Sequence, residues 1–299
     1  MEHKKVKVKE KPVHPVKKAI ITCGGYATRF LPITKAIPKE MLPIGDKPVI
    51  HYIIEELKNA GITDVLILVG RGREVLQNYF DRFPELEQVL SKKKTQDEID
   101  NLVNPFKDLN IYYHRVGMPR GSADNIYHAK SFVGSDPFLV AYCDDIFVGN
   151  DDNIRNNPSI ELIKDYHQNS KPNIIVTRVP ASSASNYGIV SPKCDAKCPA
   201  CNFTVGKIVE KPKDPPSNFA FCGRFIMTKE LFDFIENDML NLENQNIEEV
   251  CLVKQLNKLC QSKGLRAVQT RCKRFDVGYA EGLYKANEYY FTKKSTSNS

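Results

Sequence analysis

The sequence predicts an α/β fold: a doubly wound, mixed but mostly parallel sheet with a smaller, partly antiparallel lobe. Three observations lead there. Short β-branched runs alternate with amphipathic segments, the pattern of a sheet covered by helices. Strand, helix and strand follow one another at least four times in the first 180 residues, which right-handed crossovers turn into a doubly wound core. Beyond that point, strand-like pieces are separated by Pro- and Cys-bearing loops instead of helices.

The first strand is Ala19–Thr22, a short apolar run behind a lysine-rich start. Val49–Asn59 places apolar residues at helical spacing, and Val65–Val69 is the next apolar run. Glu74–Phe80 reads as a helix, Ile111–His114 as a strand and Asp124–Phe132 as a helix. Strand Phe138–Tyr142, helix Ser159–Gln168 and strand Ile174–Val179 complete the repeating part. The changed second half offers strand-like Tyr187–Ser191, Gly206–Glu210 and Phe219–Met227, then helices Ile247–Leu259 and Tyr279–Tyr290. One domain over 18–292 is expected, flanked by a basic, disordered tail (1–17) and a second one at 293–299.

Charge is unevenly placed in this chain of 299 residues. Of the formal net charge of +7, residues 1–18 carry +5, leaving +2 for everything else. That tail has no aromatic residue to stack on bases, so a nucleic-acid partner is not expected. No run approaches the ~20 apolar residues that span a bilayer, and the amino terminus lacks the apolar stretch of a secretory signal. A cytoplasmic protein without a membrane partner is expected, and a homo-oligomer. Nine dispersed cysteines fit reduced thiols. Cys194, Cys198 and Cys201 have a spacing that suits three thiolates on Zn²⁺, yet no fourth ligand adjoins them. A Cys-rich hairpin explains them equally well, and no metal is assigned there.

One segment breaks the alternation. Residues 23–48, CGGYATRFLPITKAIPKEMLPIGDKP, carry prolines at 32, 38, 43 and 48 that prevent a continuous helix. A connection this long inside a compact domain is usually functional. Gly24 and Gly25 follow the first strand, where open α/β sheets bind ligands, and paired glycines let backbone N–H groups cradle phosphate oxygens. Arg29, Lys35 and Lys39 come next, a fork and two mobile charges suited to phosphate. A nicotinamide-type turn would need G-x-G-x-x-G running into a helix, and a P-loop would need G-x4-G-K-[ST]; neither is present.

Asp144 and Asp145 end the strand Phe138–Tyr142, where adjacent carboxylates suit a hard cation such as Mg²⁺ or simply cap a turn. Asp276, in RFDVGYAEG, lies between a short strand and a helix and completes a carboxylate pair for that cation across a cleft.

At this point the sequence resembles a known family. The run KAIITCGGYATRFLPITKAIPKEMLPIGDKPVIHYIIEELKNAGITDVLILV is similar to the amino-terminal signature of bacterial UTP–glucose-1-phosphate uridylyltransferases, within the sugar-1-phosphate nucleotidyltransferase superfamily. FDRFPELEQVLSKKK, SNYGIV, IVEKPKDPPSNFAFCGRFIM and FDVGYAEGLYKA resemble later segments of that family in the same order, so the likeness runs from Val16 to about Phe291. It implies a Rossmann-like nucleotidyltransferase with a sugar-binding lobe, taking an NTP and a sugar 1-phosphate and using Mg²⁺. It further implies that Gly24, Gly25 and Gly121 hold the nucleotide, that Arg29 and Lys39 neutralise the triphosphate, and that Asp144 and Asp276 ligate Mg²⁺. Gly188 and Glu210 would contact the sugar, and Lys211 would pair with its phosphate.

The sequence also departs from the family. Ala27 replaces the last glycine of G-x-G-T-R, Val116 replaces a glutamine that reads the uracil edge, and GSADN (121–125) replaces a glycine-leucine-glycine-histidine run. GSADN is similar instead to glucose-1-phosphate adenylyltransferases. A buried hydrogen-bonding side chain discriminates strongly between bases, so UTP, dTTP and ATP all remain open as donors. A non-catalytic NDP-sugar-binding homologue is the reading from another class.

Overall fold

A computed structural model describes residues 15–118, 120–149, 157–193, 202–245 and 249–297. The three clustered cysteines and residues 1–14 of the basic tail lie outside them. Strands β1 (Lys18–Cys23), β4 (Asp64–Val69), β5 (Asn110–Arg115), β6 (Phe138–Tyr142), β8 (Asn173–Arg178), β9 (Gly188–Pro192), β10 (Phe203–Glu210), β11 (Phe219–Met227) and β12 (Arg266–Gln269) form one nine-stranded sheet. Its order is β5-β4-β1-β6-β11-β8-β12-β10-β9. Two small ribbons stand apart, β2 (Pro43–Ile44) with β3 (Lys47–Pro48), and β7 (Asp145–Val148) with β13 (Lys273–Asp276). The helices are α1 (Val49–Asn59), α2 (Glu74–Phe80), α3 (Pro84–Leu90), α4 (Gln96–Val103), α5 (Ser122–Tyr127), α6 (Lys130–Val133), α7 (Pro158–Asn169), α8 (Glu230–Gln245), α9 (Leu252–Ser262) and α10 (Ala280–Ser297).

Helices cover both faces of the sheet, and the alternation of strand side chains feeds two cores. On β1, Ile20 enters one and Ala19 with Ile21 the other; on β4, Leu66 and Leu68 oppose Val65 and Ile67. The β5-β4-β1-β6 half is parallel, whereas β11 runs antiparallel between β6 and β8. The partly antiparallel lobe is thus continuous with the core sheet, ending in the antiparallel pair β10–β9.

Several boundaries differ from expectation for local reasons. The helix expected over Asp124–Phe132 is two short ones, α5 and α6, broken at His128–Ala129. The helix expected from Ile247 starts at Leu252, because Val250 spends its backbone on other partners: its N–H donates to Arg120 O (2.8 Å) and its carbonyl accepts from Ala123 N (3.0 Å). Helix α10 continues through Ser297, so residues 293–297 are helical and not a free tail.

His51 on α1 shows how tightly this frame closes. Its Nδ1 lies 2.7 Å from Tyr79 Oη and its ring packs edge-on to Phe106. Burial, helped by the Lys47 charge and opposed by Glu55 and Asp46, pushes its pKa down to about 4. The unfolded chain takes up this proton near pH 6.5. Stability is therefore fully present above that pH and lost as pH falls toward 4. Thermal melts across this window should slope less steeply in His51→Gln than in the parent; equal slopes would contradict the assignment.

Candidate active site

The cleft lies at the carboxyl ends of β1, β4 and β6, where the sheet delivers residues 23–48, 70–73 and 143–145 together. Residues 23–48 are short 3-10 turns at Thr28–Phe30, Ile33–Lys35 and Lys39–Met41, then the β2–β3 ribbon, as the prolines demand. Arg73 clamps the start of this loop: Nε donates to Cys23 O (3.3 Å) and Nη2 to Gly25 O (2.8 Å). In a trans peptide the N–H points opposite the carbonyl, so the N–H groups of Gly24 and Tyr26 are turned away from Arg73. Gly70 allows the approach, since a Cβ there would stand 3.2 Å from Gly24 O. A cavity of about 220 Å³ opens beside them, bordered by Gly24, Tyr26, Lys35, Arg71, Val116 and Gly117.

Ala27 adopts φ 51°, ψ 43°, the left-handed conformation that glycine accepts without strain. The backbone turn that favours glycine at this point in the family pattern is thus kept with an alanine, at a cost of about 1–2 kcal/mol.

The two carboxylates singled out from the sequence converge. A Cβ on Gly278 would stand 3.1 Å from Asp276 Oδ1 and 3.3 Å from Asp144 Oδ2, so the two carboxylates converge on that glycine, whose N–H donates to Asp276 Oδ1 at 3.1 Å. The backbone fixes this arrangement. Val277 N donates to Asp144 O at 2.8 Å, Asp276 pairs with Asp145 across β13 and β7, and Gly282 on α10 lets the Asp276 carbonyl come where no side chain would fit. Asp145 has a different job. Its Oδ1 accepts from Arg274 Nε at 2.7 Å and its Oδ2 from Gly223 N at 2.7 Å, so the buried carboxylate is consumed by structure.

Lys39 donates to Asp144 Oδ2 at 2.8 Å. Burial alone would lower the Lys39 pKa, but Cys143, Asp144 and Glu40 outweigh it and hold the ammonium above its ordinary value. Burial likewise opposes ionisation of Asp144, and Lys39 with Arg274 overcomes it, keeping this carboxyl below its usual range. Asp276 behaves oppositely: burial first, then Asp145 and Asp144, raise it against the pull of Arg274. Two carboxylates converging on one glycine, with one of them held at raised pKa, are a donor set that fits a hard divalent cation.

Across the cleft, Gly188 and Glu210 are register partners on β9 and β10, and a Cβ on Gly188 would lie 3.1 Å from Glu210 Oε2. Lys211 follows with φ 41°; its N–H donates to Tyr187 O at 3.1 Å, and its exposed ammonium lies 3.9 Å from Glu210 Oε1. Arg274 stacks on the Tyr187 ring with its guanidinium carbon 5.1 Å from the centroid and reaches Asp276 Oδ2 at 3.4 Å, linking this turn to the carboxylates.

The remaining expected residues are placed less centrally. Arg29 stands exposed on the outer 3-10 turn, and Gly25 is open on its Cβ side. Gly121, at φ 116°, serves packing: a Cβ would stand 2.6 Å from Val250 O. Arg73 and Arg274 were not foreseen. Arg274 had a signal, because Arg274 and Asp276 share one strand face two residues apart; Arg73 had none.

A family model described as nucleotidyl transferase matches residues 18–293. UTP–glucose-1-phosphate uridylyltransferase 2 of Streptococcus pyogenes is 38% identical over 280 residues, covering 93% of this chain and 91% of that protein. The Staphylococcus epidermidis UTP–glucose-1-phosphate uridylyltransferase is 36% identical over 281 residues, 93% of each chain. Among solved structures, UDP-glucose pyrophosphorylase from Acinetobacter baumannii is similar with a TM-score of 0.81 at 30% identity, covering 92% of this chain and 93% of that one. The chain belongs to the nucleotidyl transferase family, and its likeness lies among the UTP–glucose-1-phosphate uridylyltransferases.

Proposed function

We propose that this chain transfers the uridylyl group of UTP to glucose 1-phosphate, with Mg²⁺ as cofactor, giving UDP-glucose and pyrophosphate. The carrying observation is the convergence of Asp144 and Asp276 over Gly278, opposite the Gly188–Glu210–Lys211 turn. Relatives named for this reaction, and a related structure described as UTP-bound, support the choice of substrates.

A phosphate oxygen of glucose 1-phosphate attacks the α-phosphorus of UTP, and the bond from that phosphorus to the bridging oxygen breaks as pyrophosphate leaves. With a second pKa near ~6, the sugar phosphate is largely dianionic at neutral pH and needs no general base. Catalysis is then alignment plus charge neutralisation. The exposed Lys211 ammonium pairs with the sugar phosphate, while Glu210, over Gly188, accepts from a sugar hydroxyl. Lys39 brings positive charge beside Asp144. The N–H groups of Gly24 and Tyr26, with Arg29 and Lys35, face the leaving phosphates. Held by Asp144 and Asp276, Mg²⁺ would supply compensation for charge on the triphosphate.

Pyrophosphate release measured separately with UTP, dTTP, ATP, CTP and GTP, each with glucose 1-phosphate and Mg²⁺, tests the reading. UTP should be preferred; preference for another base would overturn the donor, and no release with any would overturn the activity. Lys211→Ala should raise the KM for glucose 1-phosphate about tenfold or more, as loss of a charged hydrogen bond predicts, and change that for UTP little. Equal effects on the two would contradict its role.

A further inference from the structure

The proposed chemistry leaves one group beside the nucleotide loop unused. Val116, where the family's glutamine would stand, is an aliphatic residue only 2% exposed and packed into a hydrophobic core. The end of β5 therefore offers a base no hydrogen-bonding side chain at that position. Asn125, the last residue of GSADN, comes up beside Gly24 from helix α5. A Cβ on Gly24 would stand 3.6 Å from Asn125 Nδ2 and 3.8 Å from Oδ1, so this carboxamide lies within ordinary contact distance of the nucleotide loop. Gly24 also borders the 220 Å³ cavity, whose lining includes Tyr26, Val116 and Gly117. Asn125 Oδ1 is buried and, among the described residues, accepts no hydrogen bond, although buried polar atoms are nearly always paired. Folding of those residues alone supplies this acceptor with no donor.

We propose that Asn125 is a specificity-determining residue of the nucleotide subsite, its carboxamide pairing with the imide edge of the uracil of UTP. Oδ1 accepts from the base N3–H, and Nδ2 donates to a ring carbonyl, the two complementary functions an amide offers. The inference rests on the proposed use of UTP.

Steady-state kinetics of Asn125→Ala test it, with UTP, with UTP methylated at N3 and with varied glucose 1-phosphate. The variant should raise the KM for UTP about tenfold, leave that for glucose 1-phosphate within about twofold, and narrow the preference for UTP over the N3-methyl analogue about tenfold. Alanine favours the helix, so the variant should fold, which a thermal melt checks. Asn125→Asp, which keeps an acceptor and loses the donor, should lie between the two in KM for UTP. An unchanged KM and an unchanged preference for UTP over the analogue would overturn the role of Asn125 while the parent stays active. A parent that releases no pyrophosphate with UTP would overturn the underlying reading instead.

Discussion

Asp276→Asn is expected to lower turnover about 10²–10³-fold at saturating UTP and glucose 1-phosphate, the range seen when one preorganised electrostatic contact is removed. The substitution keeps the shape of the side chain and removes half of the carboxylate pair that converges on Gly278. Its effect on the fold should be slight or favourable, because Asp276 is held at raised pKa by burial and by Asp145 and Asp144. Loss of activity with an unchanged or higher Tm would thus identify a residue kept for chemistry at the expense of stability. The concentration of Mg²⁺ giving half-maximal rate should rise as well. Near-parental turnover at the parental Mg²⁺ requirement would remove Asp276 from the site.

Glu56→Gln is expected to have the largest effect on stability. Arg224 is completely buried on β11 and forms a two-pronged pair with Glu56 of α1, Nε to Oε1 and Nη2 to Oε2, both at 3.0 Å. Its remaining donors go to the carbonyls of Tyr142, Gly223 and Asp145, each at 2.9 Å. Glu56 Oε1 also accepts from Ser159 at 2.5 Å, which brings α7 into the same knot. Neutralising the carboxylate leaves a buried guanidinium uncompensated, costing about 3–5 kcal/mol. For a chain of this size that is a fall in Tm of roughly 10 °C. Two of the three carbonyls bracket Cys143 and Asp144, so turnover should fall together with Tm, through the turn that carries Asp144. A calorimetric melt within about 2 °C of the parent would show that the pair contributes nothing net, as exposed pairs often do.

Position in the chain explains what could be read from sequence and what could not. Strands β6 and β11 match their predicted ends, β6 as an apolar run and β11 as two apolar stretches around Gly223 and Arg224 between Asn218 and Thr228. Asp144 stood out by its place at the carboxyl end of β6 in an open α/β sheet, and Asp276 by its place between a short strand and a helix. The same reasoning could not separate Asp144 from Asp145. What separates them is Arg274, 129 residues away from Asp145, and no local pattern announces that pairing. Glu56 and Arg224, 168 residues apart, were invisible on the same ground. The late start of α9 follows from Val250, whose backbone is claimed by Arg120 and Ala123 before a helix can use it. Val116 and GSADN were visible as departures from a family pattern, but the closeness of Asn125 to Gly24 arises only where helix α5 meets the loop after β1.

The central claim is that one cleft holds a nucleoside triphosphate and a sugar phosphate and joins them at the α-phosphorus. Phosphorus NMR of UTP and glucose 1-phosphate incubated with the protein and Mg²⁺ tests it directly. The account predicts UDP-glucose and pyrophosphate appearing in equal amounts at the expense of both substrates. Resonances of orthophosphate and UDP, with glucose 1-phosphate untouched, would contradict it.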